Sequence, residues 1–146
     1  MRSKIDSVLM ANYIIEKCFE KGHPLDITKL SRLLYAVDGV LLANGYDIIK
    51  DSPEAWEFGP VYRKVFMKFR KDPELMKDYE FDFSKIKERQ DFIMINKVID
   101  LVLSKLGDYT GTELSDWAMK KNSPWDKTKQ SNKINKNLIK RYFLGD

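Results

Sequence analysis

The chain has 146 residues, 43% of them hydrophobic and 12% aromatic, which predicts one folded domain with an ordinary core and argues against wholesale disorder. Its net charge of +4 is too small to identify a nucleic-acid partner, and no apolar stretch is long enough to span a membrane. The single cysteine, Cys18, excludes an intramolecular disulfide and favours a reducing, cytoplasmic setting.

Two amphipathic helices are predicted in the first third of the chain. The first covers residues 3–21, where apolar residues recur at helical spacing until a Gly-His-Pro turn ends the pattern. The second follows a cap at Asp26 or Thr28, whose side chain accepts a backbone N–H, and ends near Gly45. Gly39 inside this helix costs about 1 kcal/mol relative to alanine. We therefore expect another helix to approach closely there.

An aromatic alternation follows the second helix. Residues 47–49 and 54–58 are two short extended candidates separated by a turn, and they predict a small β-hairpin. In an extended segment Trp56 and Phe58 point the same way, because side chains alternate across a strand. We expect both rings to pin the β element to the helices.

A Gly-Pro corner comes next and predicts the start of a third helix. Gly59 is free of the steric limits on other residues, while Pro60 has a fixed φ and no N–H, which suits the first position of a helix. The third helix is therefore predicted over residues 60–70. Residues 63–71 form a basic run of five bases and no acid.

The middle of the chain contains a second aromatic alternation. Tyr79, Phe81 and Phe83 alternate with acidic residues, which predicts either a third short strand or an aromatic loop packed on the helices. A fourth helix is predicted over residues 88–106.

Two shorter helices complete the predicted fold. Thr110 and Glu113 have the spacing of a capping box, in which each side chain satisfies a backbone N–H, and they open a helix over about residues 110–121. A last helix is predicted over residues 135–143. The prediction is a mainly α, compact single domain over residues 1–146, with about five to six helices and a small β-hairpin or three short strands.

No catalytic, cofactor or metal site is predicted. His23 is the only histidine, so no site that needs two histidines can form within one chain, and the seven glycines are scattered instead of forming a phosphate loop. Cys18 and His23 are the residue types of a nucleophile–base pair. Cys18, however, lies in the first helical pattern, where a small buried hydrophobe is the usual role. Glu113 and Asp116 complement the helix dipole, so the enzyme hypothesis has no support.

Basic residues concentrate towards the C-terminus, where residues 120–141 contain eight bases and one acid. Three interpretations stay open: phosphate contacts with Trp125 or Tyr142 for stacking, an acidic protein partner, or a solvated surface. Trp56 and Trp117 are expected in the core. Trp125, in a polar loop, suits packing and a binding surface equally.

Five short segments occur in the order that is typical of one family. They are Ala11-Asn12-Tyr13, Lys29-Leu30-Ser31-Arg32-Leu33-Leu34-Tyr35, Ala55-Trp56-Glu57-Phe58-Gly59-Pro60-Val61, Glu113-Leu114-Ser115 and Ser123-Pro124-Trp125. On these segments the chain resembles the Panacea domain family of SocA-like antitoxins and phage-associated proteins. It departs from the family at Arg32, where a lysine is usual, and at Ala118 and Met119, where many members carry Thr-His.

The resemblance implies a cytoplasmic, largely helical antitoxin domain, often encoded beside a toxin and frequently in prophages. It implies that the protein neutralises a cognate toxin by direct protein–protein binding, without enzymatic activity and without a cofactor. In one branch of the family it implies an adaptor that delivers the toxin to a Clp-type protease. Some members carry an extra DNA-binding domain, for which the predicted domain leaves no room. A phage-associated nucleic-acid-binding protein is the remaining alternative.

Two groups of residues carry the site-level expectations. The candidate partner contacts are Tyr62, Arg63, Lys64 and Trp125. Asn12 and Tyr35 lie on or beside apolar stripes, and we expect them to be buried polar groups that bond across helices, where losing a partner costs about 1–3 kcal/mol. With Trp56, Phe58, Gly59 and Pro60, they form the structural signature of the chain.

Overall fold

The computed structural model describes residues 3–72, 75, 78 and 80–145. In chain order the elements are α1 (Ser7–Lys21), α2 (Ile27–Ala43), β1 (Glu54–Trp56), β2 (Gly59–Val61), α3 (Arg63–Phe69), α4 (Ser84–Lys87), α5 (Phe92–Leu106), α6 (Gly111–Ala118) and α7 (Lys136–Leu144). The prediction of a mainly helical fold with a small β element is confirmed. The described residues form seven helices, whereas about five to six were predicted. The single-turn α4 is the helix that was not predicted. None of these helices combines the length and hydropathy that a membrane crossing requires.

Helix α2 lies at the centre of the fold. It contacts α1, α3, α5, α6, α7 and β2, and it is buried on nearly all sides. Its start is capped by the Asp26 carboxylate, which accepts the N–H of Lys29 at 2.8 Å, and Gly45 follows its end with a φ of 86°. A Cβ on Gly39 would overlap the ring of Phe143 in α7, so the predicted close approach of another helix is confirmed.

Strands β1 and β2 form an antiparallel hairpin, and this contradicts the predicted helix start at Pro60. Pro60 lies in β2 opposite Ala55, on an edge strand, where a missing N–H is tolerated. Gly59 has a φ of 135°, a conformation that side chains other than glycine rarely adopt. The third helix therefore begins at Arg63, after Tyr62, and not at the proline.

The first predicted strand, residues 47–49, does not form the predicted hairpin. Ile49 instead makes a parallel bridge with Ile5, and the N–H of Ile5 donates to the carbonyl of Ile48 at 2.8 Å. Helix α1 consequently begins at Ser7 and not at residue 3, because Ile5 belongs to this bridge. Ile5, an apolar residue at helical spacing, is therefore part of an extended segment and not of α1.

The remaining helices follow the prediction closely. The fourth predicted helix corresponds to α5, which begins at Phe92 instead of residue 88. The capping box of Thr110 and Glu113 is present in full and opens α6, which ends at Ala118 instead of residue 121. Asn135 caps α7 by accepting the N–H of Asn137 at 2.7 Å.

In its described part, residues 80–83, the second aromatic alternation forms a loop and not a strand. Phe83 is buried, and its ring centre lies 5.3 Å from that of Tyr13 in an edge-to-face arrangement. Phe81 is half-buried and lies 4.9 Å from Phe83. Tyr79, the third member of the alternation, lies outside the described residues.

Candidate functional site

Arg32 connects α2 to the hairpin and to α6. Its side chain is 3% exposed, and its Nε donates to Ser115 Oγ at 3.1 Å. The two terminal nitrogens donate to the carbonyl oxygens of Pro60, at 3.0 Å, and Phe58, at 2.5 Å. Burial lowers the pKa of Arg32 to about 10, which still leaves the group charged at neutral pH. The planar fork of arginine reaches three acceptors at once, and it fixes the turn at the tip of the hairpin.

Trp125 joins the C-terminal loop to the same hairpin. Its side chain is half-buried, and its Nε1 donates to the carbonyl oxygen of Trp56 at 2.6 Å. The Trp56 ring in turn lies edge-to-face with Phe66 of α3, with 4.9 Å between ring centres. Four of the five family-like segments are therefore joined here: those that contain Arg32, the corner, Ser115 and Trp125.

A buried carboxylate lies further along α2. Asp38 is fully buried, and its Oδ2 accepts from the Tyr62 hydroxyl at 2.6 Å and from Lys136 Nζ at 2.6 Å. Lys136 Nζ also donates to the carbonyl oxygen of Ile49 at 3.1 Å. Burial raises the pKa of Asp38, and the charge of Lys136 opposes that rise. The cluster ties the starts of α3 and α7 to the central helix.

The expectation that Tyr62 is exposed to a partner is wrong. Its side chain is 0% exposed, and burial together with the Asp38 carboxylate raises its pKa well above the usual range. It is therefore a neutral hydroxyl donor inside the protein. The role expected for Phe58 is also wrong, because this residue lies in the turn between the strands and is 69% exposed. The Phe58 ring is therefore mostly in solvent, whereas the Trp56 ring packs against Phe66 of α3.

Asn12 and Tyr35 are buried, but within the part of the chain that the structure describes neither makes a hydrogen bond to another helix. Asn12 Nδ2 donates to the carbonyl oxygen of Val8, one turn earlier in the same helix, at 3.0 Å. The Tyr35 hydroxyl has no hydrogen-bond partner among the described residues. Its ring packs edge-to-face with Trp117 and Phe143, at 6.0 and 5.5 Å between ring centres. The aromatic contacts, not the hydroxyl, therefore determine its place in the core.

Cys18 has the environment of a packing residue. It is fully buried, and burial raises the pKa of its thiol to about 11, against a smaller opposing effect of Lys29. His23 Nδ1 lies 3.5 Å from Asp108 Oδ1, in a turn between helices. Within the described ranges, no three His, Cys, Asp or Glu side chains are grouped so as to hold a metal ion.

Arg63 and Lys64 are exposed at the start of α3, as expected. Their side chains are 67% and 57% exposed, and each lies near one acid of the chain itself. Arg63 is 3.8 Å from Glu54, and Lys64 is 2.8 Å from Asp6. The hydrogen bond and the charge of Asp6 raise the pKa of Lys64. These contacts leave most of both cations facing solvent.

Arg32, Asp38 and Lys136 organise the site, and none of them was predicted from the sequence to do so: Arg32 was named only as a departure from the family pattern, and the other two were not named. On an ordinary amphipathic helix, charged residues lie on the exposed polar face. A usable signal was present, because α2 has only three charged residues among 17 and is apolar on most sides. Such a helix is enclosed by its neighbours, so its few charges are buried and must be paired or hydrogen-bonded.

A family model described as "Antitoxin SocA-like, Panacea domain" matches residues 30–126, about two thirds of the chain. The matched range includes Arg32, the hairpin, Ser115 and Trp125. No curated protein and no solved structure shows significant similarity to the chain.

Proposed function

The chain belongs to the SocA-like antitoxin family of Panacea domains, and from this membership we propose that it neutralises a cognate protein toxin by binding it directly. The neutralisation is non-enzymatic: the toxin is blocked by the contact and is not chemically changed. The protein works in the cytoplasm, as one half of a toxin–antitoxin pair carried by a prophage. The family match is the single observation that carries this proposal.

The arrangement at Arg32 supports a role as a preformed binding scaffold. The matched range includes the segments that Arg32 and Trp125 hold together, and the Trp56 ring packs on Phe66, so the hairpin is fastened to α2, α6, the Trp125 loop and α3. A rigid surface loses little conformational entropy on association, which favours tight binding. Arg63 and Lys64 lie on α3 and face solvent, and we assign the toxin contact to their side of this helix. Tyr62 contributes indirectly, by fixing the start of α3 through Asp38.

Co-expression with the gene beside this one tests the proposal. We expect the neighbouring gene to arrest growth when expressed alone, growth to recover when this protein is present, and the two proteins to co-purify. If neither recovery nor co-purification occurs, the antitoxin function is refuted.

The half-life of the toxin separates direct blocking from delivery to a Clp-type protease. Blocking predicts an unchanged half-life in the presence of this protein. A half-life that shortens only when both this protein and the protease are present would replace blocking by the adaptor function.

Nucleic-acid binding is the second candidate, and the exposed lysines of the C-terminal segment favour it. Lys121, Lys127, Lys129 and Lys133 face solvent, although Lys136 is turned inwards to Asp38. Binding through these lysines would weaken steeply as the salt concentration rises. A gel-shift experiment with DNA and RNA at low salt decides the matter, because the absence of any shift under those conditions dismisses this candidate.

A further inference from the structure

An open groove lies between the start of α1, helix α3 and the aromatic loop, with a cavity volume of about 700 Å³. Its apolar surface comes from Val8, Leu9 and Phe81, which are half-buried, and from Met67, which is 49% exposed. Its polar lining residues are Asp6, Arg63, Lys64 and Lys68. The groove therefore has an apolar floor and a rim with three cations and one acid.

The packing of α3 explains this division. Val65 and Phe69 face the core and are buried. The positions around them turn outwards, so Arg63, Lys64, Met67 and Lys68 share one exposed side of the helix. The contact of Lys64 with Asp6, at 2.8 Å, holds this side next to the start of α1.

This pattern selects the chemistry of the occupant. Apolar side chains of a partner remove the floor from water, and acidic side chains beside them meet the rim cations. The described walls of the groove are helices and a loop, so strand addition to a free sheet edge does not apply. A helix that places an apolar stripe in the groove, with acids on its flanks, satisfies both surfaces.

We propose that this groove binds an acidic amphipathic helix of the toxin, an inference that rests on the antitoxin function proposed above. A second copy of the chain is a poorer occupant, because it carries the same basic run along α3 and a net charge of +4. Single-stranded nucleic acid is also a poorer occupant, since phosphates gain nothing from the apolar floor.

A pair of synthetic peptides tests the chemistry without the toxin. The first is a fluorescein-labelled helix of about 16 residues with leucines at i, i+3, i+4 and i+7 and glutamates on both flanks. The second has lysine in place of every glutamate. Fluorescence anisotropy should show that the acidic peptide binds and that the lysine peptide binds at least roughly tenfold more weakly. Equal binding of the two peptides, or no binding of either, would overturn the proposal.

Variants locate the binding in the groove. Met67→Glu should weaken binding of the acidic peptide roughly tenfold, and Lys68→Gln by a factor of about two to five. The matched controls are on α5: Leu101→Glu, at a residue 45% exposed, and Lys97→Gln, at an exposed lysine, should bind as the wild type does. Thermal melts check that each variant is folded. If Met67→Glu does not fold, the binding of Lys68→Gln tests the location of the site. A loss in the α5 controls as large as in the groove variants would refute the location.

Two further outcomes would assign the groove differently. A dimer that Met67→Glu disrupts would make the occupant a second copy of the chain. Displacement of the peptide by single-stranded DNA would make it nucleic acid. Either result would overturn the proposal.

Co-expression separates the groove from the antitoxin function. If the wild type restores growth and both groove variants do so equally well, the groove is refuted and the antitoxin function stands. If the wild type fails to restore growth, the antitoxin function is refuted, and the peptides alone decide what the groove binds. Loss of recovery with the groove variants, but not with the α5 controls, would support both.

Discussion

Replacing Arg32 by methionine should destabilise the whole domain, because it removes three hydrogen bonds from one buried point. The carbonyl oxygens of Phe58 and Pro60 and the hydroxyl of Ser115 lose their donor. A buried polar group left without a partner costs about 1–3 kcal/mol, and removal of the desolvated charge offsets part of the sum. We expect the free energy of unfolding to fall by about 2–4 kcal/mol. For a chain near this length, the midpoint of thermal unfolding should fall by roughly 5–15 °C.

Arg32→Lys distinguishes the contribution of the charge from that of the planar fork. Lysine keeps the charge but offers one compact ammonium, which cannot hold all three acceptors in the same geometry. We expect a loss of about 1–2 kcal/mol, smaller than that of the methionine variant.

Urea unfolding, followed by circular dichroism and by tryptophan fluorescence, measures both Arg32 variants. Arg141→Met, at an exposed arginine, is the control and should change the stability by no more than about 0.5 kcal/mol. Equal stability of Arg32→Met and the wild type would contradict the assigned role of the three hydrogen bonds, and so would a larger loss of stability in Arg32→Lys than in Arg32→Met.

Three further predictions concern a thiol, a glycine and an acid. At pH 8 the Cys18 thiol of the native protein should react with Ellman's reagent at least about 100-fold more slowly than that of the urea-unfolded protein, because a pKa of about 11 leaves roughly 0.1% of the thiol as thiolate. Fast reaction of the native protein would contradict the observed burial. Gly39→Ala should lower the free energy of unfolding by about 1–3 kcal/mol, because the added Cβ overlaps the ring of Phe143. In a Phe143→Ala background the same substitution should be neutral or stabilising, since alanine favours helix. If thermal melts show that the effects of the two substitutions simply add, the contact is contradicted. Burial raises the pKa of Asp6, but the Lys64 hydrogen bond and a backbone N–H outweigh it, so the folded pKa lies below the unfolded value of 3.8. The stability that Asp6 contributes is therefore present above about pH 4 and is lost as the pH falls through the folded pKa. In urea melts, the wild type should lose more stability than Asp6→Asn between about pH 5 and about pH 2. Equal losses in the two proteins would exclude this linkage.

Several helix ends were predictable from the sequence because a nearby residue determines them. Asp26, Thr110 and Asn135 cap their helices with their own side chains, and each accepts an N–H two or three residues away. Gly45 relaxes the end of α2 in the left-handed conformation. In each case the cause lies within a few residues of its effect, so the sequence contains the whole argument.

Elements that depend on distant partners were not predictable in this way. Ile5 fits a helical pattern, but its partner in the bridge, Ile49, comes from the other side of α2 in the sequence. Pro60 is suited to a helix start and to an edge strand alike, and only its pairing with Ala55 decides between them. Periodicity gives no information about which distant segment supplies a partner.

The candidate site was predictable only at its surface. Arg63 and Lys64 face solvent, as a basic run at the start of a helix indicates. Tyr62 precedes them in sequence, yet it is buried because Asp38, 24 residues earlier, accepts its hydroxyl. The residues next to Tyr62 in the sequence give no sign of this distant acceptor, so the burial of the tyrosine could not be predicted from them.

The position of Lys136 has a consequence for the synthesis of the chain. Asp38 leaves the ribosome 98 residues before the lysine that neutralises it, which corresponds to roughly 5–20 s of translation. Throughout that interval the carboxylate must stay hydrated, so α2 cannot be enclosed as it is in the finished domain. Gly39 likewise awaits Phe143, from the last helix of the fold. The native packing of α2 is therefore completed only after α7 has been synthesised, and a chain that terminates before α7 leaves its central helix exposed to cellular proteases.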